Sequence, residues 1–196
     1  MKKGEKRKRE LLEIAYMMLL SNGYENTSVD AIIEAAGIAK GTYYYYFASK
    51  EQMLEDVIGM MMEAEAERAR QVLASQMGAP QKIAGIIACL RPSREETPIE
   101  DALSLPENSL MNNKLRKTLL EIILPLLSEA VEEGIRSGIF RCDHVPERVK
   151  MLLLVGNALF SEGGFTPEDV DVYIDMAEKL LGAAPGTMEL IRQLIR

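Results

Sequence analysis

The sequence predicts an all-α fold. Apolar residues return at spacings of three and four along nearly all of its 196 residues, strict alternation never appears, and helix start and stop signals punctuate the pattern. With 47% apolar residues and mixed charges, the composition is that of an ordinary globular chain. No run of about eighteen apolar residues occurs. No basic-then-apolar leader ends in a cleavage site, so a cytoplasmic location without a membrane partner is expected. Cys89, Cys142 and the single histidine, His144, lack the spacing of a disulfide framework or a metal site. Neither a metal nor a cofactor is therefore expected.

Leu11, Ile14, Ala15, Met18 and Leu19 share a helical face and stop before Ser21-Asn22-Gly23, which predicts a first helix over about residues 5–21. Thr27, with Asp30 three residues on, fits an N-cap with an acidic N3, and Val29, Ile32, Ile33 and Ala36 then form a short second helix. Gly37 stands where a left-handed residue is needed to end it. A third helix spans Ala39 to Phe47. Ser49 and Gln52 form a capping box that opens a long fourth helix to about Ser75.

Further helices are expected over 81–91, 99–105 and 108–137, the last kinked at Pro125 and stopped by Gly138. Pro146 begins another, to about Glu162. Thr166-Pro167-Glu168-Asp169 starts one that ends at Gly182, and a small helix follows Pro185. The stretch from Arg91 to Asn108, interrupted by Pro92, Pro98 and Pro106, reads as a flexible connection.

The net charge of -7 is unevenly spread. Residues 1–50 hold eight Lys/Arg against six Asp/Glu, a net of +2, so the rest of the chain carries -9. Lys2, Lys3, Lys6, Arg7, Lys8 and Arg9 face only Glu5, a basic arm that reads either as a contact for a polyanion or as a solvated terminus.

Two short helices joined through Ala36-Gly37-Ile38, braced by the first, make the tri-helical arrangement that inserts its second helix into a DNA major groove. The third helix strengthens this reading. Lys40-Gly41-Thr42-Tyr43-Tyr44-Tyr45-Tyr46 is too polar for a core helix, and four successive tyrosines about 100° apart cannot all face inward. Phe47 and one face through Tyr43 suit the core, which leaves the other hydroxyls outward.

The run GYENTSVDAIIEAAGIAKGTYYYYFASKEQML, residues 23–54, resembles the DNA-binding domain of TetR-family regulators. It combines Gly-Tyr after helix one, Thr-Ser before helix two, the Ala-Ala-Gly-Ile turn, the Gly-Thr-x-Tyr-x-x-Phe recognition helix and the Ser-Lys-Glu that begins helix four. The resemblance implies a helix-turn-helix domain over residues 1–48 and a helical effector-binding and dimerisation domain over 49–196. It implies phosphate contacts from Thr27, Ser28, Tyr44, Tyr45 and Lys50. Lys40, Gly41 and Thr42 would approach base edges, and Tyr46 would make either kind of contact. Ala39 stands where the family often has a capping Ser or Thr, and Tyr43 where an aliphatic residue is commoner.

The partners implied are double-stranded operator DNA, a second copy of the chain and an unidentified small-molecule effector that releases a repressor from a palindromic operator. Leu152, Leu153, Leu159, Phe160, Val172, Tyr173, Met176 and Leu180 supply either a four-helix contact between subunits or the monomer's own core. Met60, Met61 and Met62 suit an apolar pocket or ordinary core, and Glu63, Glu65 and Glu67 a solvated face. No nucleophile has an evident base beside it and no glycine-rich phosphate loop occurs, so an enzyme is not expected. The rival reading is an all-α adaptor that binds a protein through its tyrosine-rich helix.

Overall fold

The computed structural model describes residues 3–89, 94–160 and 165–194, which form nine α-helices and three short 3₁₀ segments without a strand. The helices are α1 (Lys3–Asn22), α2 (Val29–Ala36), α3 (Lys40–Tyr46), α4 (Lys50–Leu73), α5 (Ala79–Cys89), α6 (Thr97–Ser104), α7 (Ser109–Arg136), α8 (Val145–Phe160) and α9 (Pro167–Leu181). Among the described residues no helix is long and apolar enough to cross a membrane. The chain divides into two compact units, Met1–Ala64 with Pro92–Lys117, and Glu65–Arg91 with Thr118–Arg196.

In the first unit α1 is the brace: Leu11, Ala15 and Leu19, one turn apart, are wholly buried and α1 packs against α2 and α6. Ile32 of α2, Tyr43 and Phe47, and Met53, Leu54 and Val57 of α4 are buried with them. The stretch read as a flexible connection is, over its described part, folded. A 3₁₀ turn at Arg94–Glu96 leads into α6, whose Ile99 and Ala102 are buried, and a second 3₁₀ turn spans Pro106–Asn108. Pro98 and Pro106 stand in the opening turns of α6 and of that second 3₁₀ segment. There the missing N–H costs nothing, so these prolines begin elements instead of interrupting them. Buried Asn108 donates its side-chain amide to the Ala102 carbonyl at 2.7 Å. Arg91 and Pro92 lie outside the described residues.

The second unit is built on one apolar cluster that includes Ala69 and Leu73 of α4, Ile86 of α5, Ile123 and Leu127 of α7, Val149 of α8 and Ile174 of α9. Pro125 lies within α7, which continues through it as a single helix. Gly134 lets the Phe140 ring close over α7: a Cβ there would stand 2.1 Å from a ring carbon. Lys82 is buried and ion-paired with Glu133 at 2.5 Å. The expected start of α9 is present as a reciprocal capping box between Thr166 and Asp169, while the expected end of α8 near Glu162 falls outside the described residues. Glu65, expected on a solvated face, is buried: it lies one turn before the buried Ala69, on the inward side of α4, whereas Glu63 and Glu67 are exposed.

Candidate nucleic-acid interface

Helix α2 is bounded by two local devices. At its start Ser28, in an extended conformation, accepts a hydrogen bond from the Ala31 amide at 3.1 Å. At its end Gly37 is left-handed (φ 59°), and the Gly37 and Ile38 amides close back onto the Glu34 and Ile33 carbonyls. The cap is thus Ser28, one residue later than the Thr27 expected. Thr27 is wholly buried, its hydroxyl 2.8 Å from the Gly23 carbonyl and 3.3 Å from that of Met18. That hydroxyl ties the turn to α1 and is not presented to a phosphate. The sequence offers two adjacent hydroxyl residues, and only packing distinguishes the inward one from the outward one.

Helix α3 begins at Ala39 without a side-chain cap, as its alanine dictates. Tyr43 and Phe47 are buried with ring centroids 5.3 Å apart. Among the described residues the Tyr43 hydroxyl has no hydrogen-bond partner, and burial, then the Tyr44 and Glu51 charges, push its pKa up to about 12. Tyr44, 49% exposed, stands edge-on to Tyr43, and Tyr45, 80% exposed, stands edge-on to the half-buried Tyr46. Lys40 and Gly41 are also exposed, Thr42 is half-exposed, and among the described residues nothing beyond the helix's own backbone and the chain neighbours lies within 4 Å of where a Cβ of Gly41 would be. One face of α3 therefore anchors the helix while the other presents an ammonium, a bare backbone and two phenol rings.

Lys50, the first residue of α4, holds its ammonium 4.0 Å from the centroid of the buried Tyr24 ring, a cation–π contact. The Tyr24 hydroxyl donates to Glu51 at 3.5 Å; burial and that carboxylate raise its pKa to about 12. The Ser49 hydroxyl, followed by a backbone amide, holds the Glu51 carboxyl below the usual range. Ser49 also accepts from the Gln52 amide at 3.2 Å, but the Gln52 side chain donates to Asp56, so only half of the expected capping box forms.

The basic arm belongs to α1. Arg7 pairs with Glu10, Arg9 with Glu13, and Lys8 with Asp56 at 2.7 Å, so much of its charge is met within the unit. Lys2 lies outside the described residues. Asp30, expected only as an acidic residue in the first turn of α2, stands 3.2 Å from the Lys40 ammonium. Ten residues and a turn separate the two, and no local spacing rule signals such a pair. Among the described residues no three His, Cys, Asp or Glu side chains group as a metal site.

Residues 11–57 match the profile of the family described as bacterial regulatory proteins, tetR family. The fatty acid metabolism regulator protein of Bacillus subtilis (strain 168) is 29% identical over 144 residues, covering 70% of this chain and 73% of its own. The HTH-type transcriptional repressor KstR2 of Mycolicibacterium smegmatis is 28% identical over 149 residues, covering 70% and 69%. Among solved structures, a TetR-family regulator from Mesorhizobium loti superposes with a TM-score of 0.62 at 18% identity, covering 93% of this chain and 98% of that one. That likeness speaks for the fold: an N-terminal helix-turn-helix followed by a helical region. The helix-turn-helix that carries this recognition helix is that of the bacterial regulatory proteins of the tetR family over residues 11–57, and the relatives that align with the wider chain are transcriptional regulators.

Proposed function

We propose that this regulator is a repressor that grips a palindromic operator as a homodimer through Ser28, Tyr44, Tyr45 and Lys50 on phosphates and Lys40, Gly41 and Thr42 at base edges. The observation that carries the assignment is the division of α3, with Tyr43 and Phe47 buried and Lys40, Gly41, Tyr44 and Tyr45 turned outward. A helix held by its aromatic side and bare on its polar side suits insertion into the major groove. Thr42 and Tyr46, both half-exposed, serve at the edge of that face.

One such helix reads too few base pairs for useful specificity, so two copies are required. Met151, Leu154, Val155 and Leu159 of α8 and Val172 of α9 are exposed apolar residues on the two helices expected to pair. Of the remaining residues expected there, Leu152 is buried, and Leu153, Phe160, Tyr173, Met176 and Leu180 pack against the second unit's own core. The residues offered to a partner are therefore Met151, Leu154, Val155, Leu159 and Val172. Gly156 lets Tyr173 reach the Leu152 carbonyl at 2.9 Å and lock α8 to α9 before a partner arrives. The second unit, with residues 49–196 in the broader division, binds a small-molecule effector. That effector lowers operator affinity by favouring the dimer with the weaker grip. Helix α4, which supplies Lys50 and also Ala69 and Leu73 of the second unit's core, is the element both functions share.

Selection of duplex DNA from a random library at fixed salt, followed by sequencing, tests the core of this reading. The wild type enriches a palindrome; Tyr45→Ala and Lys50→Ala weaken binding to all sequences alike, and Lys50→Ala lowers the salt slope by about one. Absence of enrichment by folded, dimeric protein would favour a protein partner for the tyrosine-rich helix.

A further inference from the structure

The Lys40–Asp30 pair lies on the outward surface of the helix-turn-helix and has no role in its packing. Lys40 Nζ is 3.2 Å from Asp30 Oδ1, and the two side chains are 65% and 78% exposed. Asp30 is in the first turn of α2, two residues after the Ser28 cap, and Lys40 opens α3, so the pair spans the two helix starts that face DNA in the reading above. A carboxylate there is unfavourable beside phosphates, which repel it and compete for Lys40. An ion pair this exposed contributes little to stability and separates readily. On duplex DNA a carboxylate is well placed only where a base offers a hydrogen-bond donor.

The major-groove edge of a G·C pair offers the complement of this ion pair: cytosine N4 donates, while guanine O6 and N7 accept. Asp accepts from the first and Lys donates to the second. We infer that Asp30 is a specificity-determining residue and that Asp30 and Lys40 together read one G·C base pair, or two adjacent ones, in each half-site. This rests on the proposed DNA-facing surface and extends it to a residue on α2. Asp30 serves a second purpose by the same charge: its carboxylate offsets part of the attraction of Lys40 to phosphates of arbitrary sequences and so lowers non-specific affinity.

The test is library selection and quantitative binding at several salt concentrations with wild type, Asp30→Ala, Asp30→Asn, Lys40→Ala and the Asp30→Ala/Lys40→Ala double variant. Wild type is expected to show a G·C preference at one symmetrical position per half-site. Asp30→Ala should lose about tenfold in discrimination at that position alone, gain affinity for unrelated duplex severalfold and steepen the salt slope by about one. Asp30→Asn, which adds an amide donor where cytosine needs an acceptor, should move the preference toward adenine, whose N6 and N7 an amide matches. In the Lys40→Ala background, removing Asp30 should change discrimination much less, because the two act on one site. A uniform gain of affinity with an unaltered sequence preference would overturn base reading by Asp30, as would no change at all. Failure of the wild type to enrich any sequence would instead remove the DNA-facing surface on which the inference stands, an outcome told apart by the wild-type arm alone.

Discussion

Gly37 ends α2 and Gly182 ends α9, and the two glycines adopt nearly the same left-handed backbone, φ 59° and 63°. Each closes the helix with the same pair of amide-to-carbonyl bonds. Their surroundings differ. Among the described residues a Cβ on Gly37 would meet nothing within 4 Å, whereas one on Gly182 would stand 2.1 Å from the Arg141 carbonyl oxygen. That backbone is fixed in place, because the Arg141 amide donates to Leu181 at 2.9 Å. In the first unit glycine satisfies a local torsion and leaves the surface open; in the second it satisfies the torsion and a close approach of two chain segments. The first unit, the head, thus leaves this cap open to its outside, and the second unit packs its own segments against the corresponding one.

The severest way to break this contrast is Phe47→Ala, which empties the aromatic anchor of α3. It should cost about 3–5 kcal/mol of stability, read by denaturant unfolding, and abolish operator binding with it. Gly182→Ala comes next, costing more than the roughly 1–2 kcal/mol of left-handed strain alone, since backbone must move. Gly37→Ala should show only that strain and leave the exposed tyrosines in place. Equal losses at the two glycines would refute the distinction between an open cap and a packed one. The N-caps compare in the same way. Removal of the hydroxyl in Thr166→Ala breaks a reciprocal capping box, and in Ser28→Ala a single bond, each on the order of 1 kcal/mol with Thr166 the larger.

The smallest expected effects concern the head's tyrosines. Tyr43→Phe removes a buried hydroxyl without a partner and should leave stability equal or raise it by about 1 kcal/mol. Tyr24 and Tyr43 in the head, like Tyr173 in the second unit, have pKa values raised to about 12. Ionisation is then easier in the unfolded chain, so stability present below pH 10 declines as pH rises from about 10 to 12. Phenolate absorbance followed beside circular dichroism checks this: ionisation of these three without loss of structure would contradict their burial.

Much of the fold was legible because its signals are local. The Gly37 and Gly182 stops, the helix start at Thr166, the missing cap at Ala39 and the inward Tyr43–Phe47 face each follow from residues within one or two helical turns. The family resemblance was legible for the same reason, being carried by residues 23–54. The errors arose where neighbours in sequence compete for one role. Thr27 and Ser28 are both capping hydroxyls, and the first is consumed by the carbonyls of Gly23 and Met18. Within 91–108 the helix expected over 99–105 is present as α6, but the prolines looked like interruptions of a flexible connection, whereas α6 buries Ile99 and Ala102 and packs along α1.

By itself, then, the sequence determined what short-range periodicity and backbone torsion can encode: an all-helical chain, its stops and starts, and a recognition helix with one aromatic face. Tertiary structure alone decided which of two adjacent hydroxyls faces solvent and that Glu65 lies inward. It also decided that Lys50 rests on the Tyr24 ring and that Asp30 meets Lys40. Each of these depends on residues brought together across a turn or between helices, and their proximity is set by packing, which no spacing along the chain records.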